Sequence, residues 1–123
     1  MPQSKAVVAI VDDDRRVRES VQSVLESAGY EALSFASAET FLLSGVLSSV
    51  SCVIADVRLP GMDGTELQQR IRRGRQLPVI LITAHDDDDV RQRALHDGAV
   101  AFLIKPFDGG DLLDHIARAT SGS

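Results

Sequence analysis

A single cysteine in 123 residues has no partner within the chain, so no internal disulfide can hold this fold together. Cys52, in the apolar stretch SCVIAD, reads as a small core hydrophobe in a reduced, cytoplasmic setting. Long apolar runs are missing as well: none approaches the ~18 residues a membrane span requires. The N-terminus, MPQSKAVVAIVDDD, offers one lysine and then six apolar residues before acids intervene, too short for a secretory signal. Nor is there a surplus of positive charge. A net charge of −5 argues against general affinity for nucleic acid or anionic membranes. No linker, repeat or low-complexity segment interrupts the chain. Only the final TSGS is expected to fray, with residues 121–123 read as the start of a linker beyond a domain spanning 1–120.

What is present is a rhythm. The length suits one domain with a single core. Short β-branched runs recur five times: AVVAIV (6–11), YEALSF (30–35), CVIA (52–55), PVILIT (78–83) and VAFLI (100–104). Four are continuously apolar, the mark of parallel strands buried on both faces; the second alternates and predicts an edge strand. Between the first two, Val17, Val21, Val24, Leu25 and Ala28 recur at helical spacing, with Gly29 following as a helix terminator. Segments 37–46, 64–73, 87–97 and 109–119 also read as helices. Leu67 and Ile71 supply a buried stripe, as do Leu112, Leu113 and Ile116, and Gly98 ends the fourth helix. Five strand–helix units predict an α/β fold, a parallel sheet with right-handed crossovers and helices on both faces.

In such a sheet, ligands bind beyond the carboxyl ends of the strands. The first run ends in Asp12-Asp13, the third in Asp56, the fourth in Thr83-Ala84 and the fifth in Lys105-Pro106. Three carboxylates, a hydroxyl and an ammonium are thus predicted to meet at one edge. Carboxylates so close need a compensating cation. Oxygen ligands favour a hard divalent ion, and Mg²⁺ binds through one or two carboxylates together with water and phosphate oxygens. An ionised aspartate can serve as a nucleophile without a general base. A lysine and a hydroxyl opposite the metal would stabilise a transferring phosphoryl group.

The motifs VDDD, ADVRLPGMDGTEL, VILITA and GAVAFLIKPF occur in that order, and over roughly residues 5–119 the chain resembles a two-component response-regulator receiver domain. Arg58 after the acceptor and His85 after Thr83 make the FixJ-type branch the most similar. The resemblance implies a flavodoxin-like, five-stranded sheet of order 2-1-3-4-5, and a switch that catalyses only its own phosphorylation and dephosphorylation. Asp56 corresponds to the phosphoacceptor, which takes its phosphoryl group from a sensor histidine kinase. Asp13, Asp56 and the backbone carbonyl of Arg58 correspond to direct Mg²⁺ ligands, with Asp12 acting through water and Mn²⁺ or Ca²⁺ as substitutes. Thr83, the Ala84 backbone and Lys105 correspond to the phosphoryl-binding groups, and Phe102 to the aromatic switch position. Arg58 and His85 would modulate the site, and Lys105–Pro106 is expected to be a cis peptide. The resemblance implies a homodimer on phosphorylation, through the fourth helix, fifth strand and fifth helix. Members of that branch usually carry a C-terminal DNA-binding helix-turn-helix domain, so the chain reads either as a fragment of such a protein or as a stand-alone receiver. The receiver itself would bind neither nucleic acid nor membrane.

Other features have plainer readings. Asp14 precedes RRVRES and suits a helix cap. HDDDDV, starting at His85, reads as a solvated helix start, and RIRRGR (70–75) as an exposed helix end. His85, His96 and His115 show no ligand spacing for zinc. Three alternatives to the receiver remain. A haloacid-dehalogenase-like phosphatase would want a second aspartate where Arg58 stands. A flavodoxin-like FMN binder would want a small polar loop where DDDRR stands. A phosphorylation-independent binding module would not need the full acid, threonine and lysine set.

Overall fold

The β-branched runs become five parallel strands, β1 (Val7–Val11), β2 (Glu31–Phe35), β3 (Cys52–Asp56), β4 (Val79–Thr83) and β5 (Ala101–Ile104), hydrogen-bonded in the order β2-β1-β3-β4-β5. They alternate with α1 (Arg15–Ser27), α2 (Ala38–Leu43), α3 (Gly64–Gly74), α4 (Asp88–His96) and α5 (Gly109–Thr120). This computed structural model describes residues 6–74 and 76–120. The expected tail at 121–123 and the last arginine of RIRRGR lie outside the described residues.

Alternation along the central strands sends side chains into two cores. Val8, Ile10, Cys52, Ile54, Ile80 and Ile82 pack with Leu25 of α1 and Leu112 and Ile116 of α5. On the other face Ala9, Val53, Ala55 and Leu81 meet Phe41 of α2, Leu67 and Ile71 of α3, and Ala94 of α4. All five residues of β3 and of β4 are buried, as the continuous apolar runs demand. The edge position of β2 follows the alternating pattern of its sequence.

Two details differ from the sequence reading. VAFLI was expected to be buried on both faces, yet β5 is the second edge: Ala101 alone is buried there, and Val100 just before it is 44% exposed. A strand with one neighbour is covered only as far as its flanking helices reach, here α4 and α5. The second helix was expected over 37–46 but stops at Leu43, because Gly45 takes a left-handed φ of 79° and the chain resumes as a 3₁₀ turn at Val46–Ser48. Elsewhere the helix ends follow the sequence. Gly29 and Gly98 both terminate helices through paired backbone bonds, Tyr30 N–H to Leu25 O and Ala99 N–H to Ala94 O each closing the last turn.

Burial raises the Cys52 thiol to about 12, against a weak bond to the Val53 carbonyl that acts to lower it. The unfolded thiol ionises near ~8.5, so its stabilising contribution is whole below that pH and is lost as pH rises toward the folded value. Cys52 should therefore resist alkylation at mildly alkaline pH until the protein is unfolded. Cys52→Ala should flatten the decline of melting temperature above about pH 8.5. Alkylation of the folded protein at the rate of a free thiol would show that Cys52 is reachable.

Gln68 is the polar residue of the α2–α4 core, 3% exposed. Its amide nitrogen donates to the Ala94 carbonyl at 3.0 Å, while its Oε1 has no partner among the described residues. Ala94 O also accepts from Ala99 N–H, so removing the amide strands no acceptor. An unpaired buried acceptor costs about 1–3 kcal/mol, more than a typical net hydrogen bond of about 1 kcal/mol contributes. Gln68→Met, similar in length, is expected to raise the melting temperature; a fall of several degrees would show that the amide is fully satisfied.

Candidate functional site

Register brings the strand ends to one edge: Val11 lies beside Ala55, Asp56 beside Ile82 and Thr83 beside Ile104. The next residue of β1 is Asp12, completely buried. Its N–H donates to Phe35 O at 3.1 Å, and its carboxylate takes the Asp14 N–H (2.8 Å) on Oδ1 and the Lys105 ammonium (2.9 Å) on Oδ2. Asp13 is exposed beside it. Asp14 turns away as the cap of α1, accepting the Arg16 N–H at 2.9 Å.

Asp56 ends β3 and is 7% exposed. Oδ1 accepts the Arg58 N–H at 2.8 Å, and Oδ2 lies 2.7 Å from Lys105 Nζ. One ammonium thus bridges two carboxylates from different strands. It is delivered by the chain after β5, where Lys105 N–H bonds Thr83 O at 2.7 Å and the Lys105–Pro106 peptide is cis. Thr83 is 2% exposed, and its Oγ1 accepts the His85 N–H at 3.1 Å. Ala84, His85 and Arg58 are exposed around the opening. Phe102, half-buried on β5, packs with the α2–α4 core.

Asp12, Asp13 and Asp56 each place a carboxylate oxygen within 4.8 Å of the others. No other such cluster of histidine, cysteine or acidic groups occurs among the described residues, the HDDDDV run included. In that run Asp87 caps α4 through the Val90 N–H, and Asp88 pairs with Arg91. The electrostatics follow from burial. Desolvation, the largest influence, lifts the Asp12 carboxyl above its ordinary range, with the Asp56 charge adding and the Asp14 and Lys105 bonds opposing. Burial also acts to lower the Lys105 ammonium, but its bonds to Asp56 and Asp12 and their charges outweigh it and hold it above the usual lysine value. Three carboxylates against one ammonium leave an excess of negative charge. An all-oxygen donor set with that excess fits a hard divalent cation.

The loop after β3 is fixed from three sides. Gly64 N–H returns to Val57 O at 2.9 Å. Asp63 and Glu66 cap α3 reciprocally, Glu66 N–H on Asp63 Oδ1 (2.9 Å) and Asp63 N–H on Glu66 Oε1 (3.3 Å). Glu39 of α2 accepts the Met62 N–H at 2.8 Å, a bond that lowers its carboxyl. The D-x-x-E spacing at 63–66 was visible in sequence; Glu39, 23 residues from its partner, carried no signal there.

An acid pair after β1, a third acid at the end of β3, a threonine ending β4 and a lysine before a cis proline after β5 occupy one sheet edge, and a family profile, the response regulator receiver domain, matches residues 8–117. The chain belongs to that family. Response regulators are members of two-component systems, and the receiver domain is a signalling switch rather than a metabolic enzyme. Nodulation protein W of Bradyrhizobium diazoefficiens is 41% identical to this receiver over 118 residues, 95% of this chain and 52% of that protein. Transcriptional regulatory protein FixJ of Azorhizobium caulinodans is 40% identical over 123 residues, 99% of this chain and 57% of that one. The receiver thus spans about half the length of these relatives. Among solved structures, the FixJ-N crystal structure superposes with a TM-score of 0.85 at 32% identity, covering 98% of both chains. No helix among the described residues is long and apolar enough to cross a membrane.

Proposed function

We propose that Asp56 accepts a phosphoryl group from the phosphohistidine of a sensor histidine kinase, in a Mg²⁺-dependent reaction, and that the resulting charge switches an output. The observation that carries the reading is the position of Asp56. Asp12 touches the same ammonium but is sealed, and Asp13 is open but lies outside the ammonium's contacts. Asp56 alone of the three combines access with the Lys105 contact.

Asp13, Asp56 and the Arg58 carbonyl would hold the ion directly, and Asp12 through water. When bound, Mg²⁺ supplies positive charge that offsets the acids and the phosphoryl oxygens. An Asp56 oxygen forms its bond to phosphorus as the phosphorus–nitrogen bond breaks, and that electron pair departs on the donor imidazole. Lys105 then donates to a phosphoryl oxygen. Thr83 does likewise, since its oxygen accepts from His85 and its own proton is left to give. The Ala84 N–H supplies a further donor. Arg58 and His85, exposed at the opening, tune access of water to the acyl phosphate.

Downstream, Thr83 drawn toward the phosphoryl group carries the loop into α4, and Phe102 repacks against the core it already touches. The α4–β5–α5 face then changes its affinity for a second copy or for a transcriptional output domain. The kinase would approach along a groove of about 550 Å³ beside Lys105, lined by Val17, Val21 and Val24 of α1 and by Pro106 and Phe107. A cytoplasmic setting follows from such a partner. Acetyl phosphate, with intact mass as readout, tests the chemistry. One phosphoryl group is expected with Mg²⁺ and none with a chelator; equal uptake without metal would contradict the reading.

A further inference from the structure

Asp13, a direct ligand in the reading above, makes no side-chain hydrogen bond among the described residues. Its placement is therefore left to the backbone, and the peptide that leads into it is held by a residue six positions after Asp12. Arg18, half-buried on α1, donates from Nη1 to the Asp12 carbonyl oxygen at 2.8 Å. The Asp12 N–H and both carboxylate oxygens are engaged elsewhere. The carbonyl bond is the contact that fixes the plane of the Asp12–Asp13 peptide, because carbonyl, carbon and Asp13 nitrogen share that plane. Arg18 is itself set by the helix: its N–H bonds the carbonyl of the cap residue Asp14 at 3.1 Å. The cap, the helix and the guanidinium form a closed bracket around Asp13.

We propose that Arg18 is a positioning residue for the cation site, holding the Asp12–Asp13 peptide so that Asp13 faces Asp56. The inference rests on the reading of the acid cluster as a Mg²⁺ site. Two physical effects of Arg18 act on that site with opposite sign. A guanidinium near a dication repels it, so by charge alone its removal tightens Mg²⁺ binding. As a clamp on the ligand-bearing peptide, its removal loosens Asp13 and weakens binding, and partners of this kind change metal affinity by roughly 10- to 100-fold. The sign of the change therefore separates the two roles.

Isothermal titration of the unphosphorylated domain with MgCl₂ reads that sign directly, without any phosphoryl donor. Arg18→Met, which keeps the apolar stem but neither donor nor charge, is expected to raise the Mg²⁺ dissociation constant roughly tenfold. Arg18→Lys, which returns a cationic donor, is expected to recover most of the loss. Melting temperatures of all three proteins, taken without metal, check that the variants are folded. In the metal-free protein the Asp13 amide resonance should shift in Arg18→Met and return toward wild type in Arg18→Lys. Unchanged or tighter Mg²⁺ binding by folded Arg18→Met overturns the proposal while leaving the site reading intact. Absence of Mg²⁺ binding by the wild-type domain overturns the site reading, and the proposal with it.

Discussion

Asp56→Asn is expected to abolish phosphoryl uptake from acetyl phosphate while leaving the domain folded. The amide has the size of the carboxylate, and its oxygen can still accept the Arg58 N–H that Asp56 Oδ1 accepts at 2.8 Å. What disappears is the anionic nucleophile: a carboxamide oxygen has no negative charge to deliver to phosphorus. Stability should change little: the amide nitrogen that replaces Oδ2 turns a donor toward the Lys105 ammonium and ends their 2.7 Å bond, whereas Lys105 keeps its 2.9 Å bond to Asp12 and one of three crowded acids is neutralised. The Asp56 charge is among the influences that raise the Asp12 carboxyl, so that group should move down in the variant. Mg²⁺ affinity should fall as well. Phosphorylation of Asp56→Asn at the wild-type rate would remove Asp56 from the chemistry.

Gly64→Ala is expected to be the most damaging substitution near the site that changes no functional group. A Cβ at this position would overlap the Asp56 carbonyl oxygen and lie 2.9 Å from its carbon and 3.0 Å from Val57 Cα. These are backbone atoms of β3 and its exit, pinned by Val57 N–H to Ile82 O at 2.8 Å and by Gly64 N–H to Val57 O. No side chain can swing aside. Either α3 lifts from the sheet, exposing Leu67 and Ile71, or the acceptor strand is pushed out of register with Lys105. Overpacking of this kind costs about 1–3 kcal/mol or more, which for a domain of this size is on the order of 10 °C in melting temperature. Thermal unfolding with acetyl phosphate uptake should show both falling together. A variant that melts within a degree or two of wild type would mean the loop yields more easily than its bonds suggest.

These two residues differ in how openly the sequence announced them. Asp56 follows a continuously apolar run, and the rule that ligands gather beyond strand ends selects it together with Asp12, Asp13, Thr83 and Lys105. The five-unit rhythm was legible for the same reason: strands buried on both faces must be apolar throughout, and α1 and α5 must show their stripes. Gly64 reads only as a helix start, since its closeness to the Asp56 carbonyl exists only after β3 and α3 pack. Arg18 and Glu39 are silent for a related reason. Each bonds a backbone atom, and a backbone acceptor or donor leaves no residue type to recognise. The burial of β5 was overestimated because VAFLI records hydrophobicity but not how many neighbours the strand has. Lys105 was legible as a cation for phosphoryl oxygens, whereas its bridge between Asp12 and Asp56 required the folded register.

The central claim is that a phosphoryl group is carried as an acyl phosphate on Asp56. Its most direct test is to phosphorylate the domain in Mg²⁺, trap the acyl phosphate by borohydride reduction, and locate the reduced residue by peptide mass spectrometry. Reduction confined to position 56 is the expected result. A trapped group at Asp12 or Asp13, or a modification on His85, His96 or His115 that borohydride leaves untouched, would contradict it.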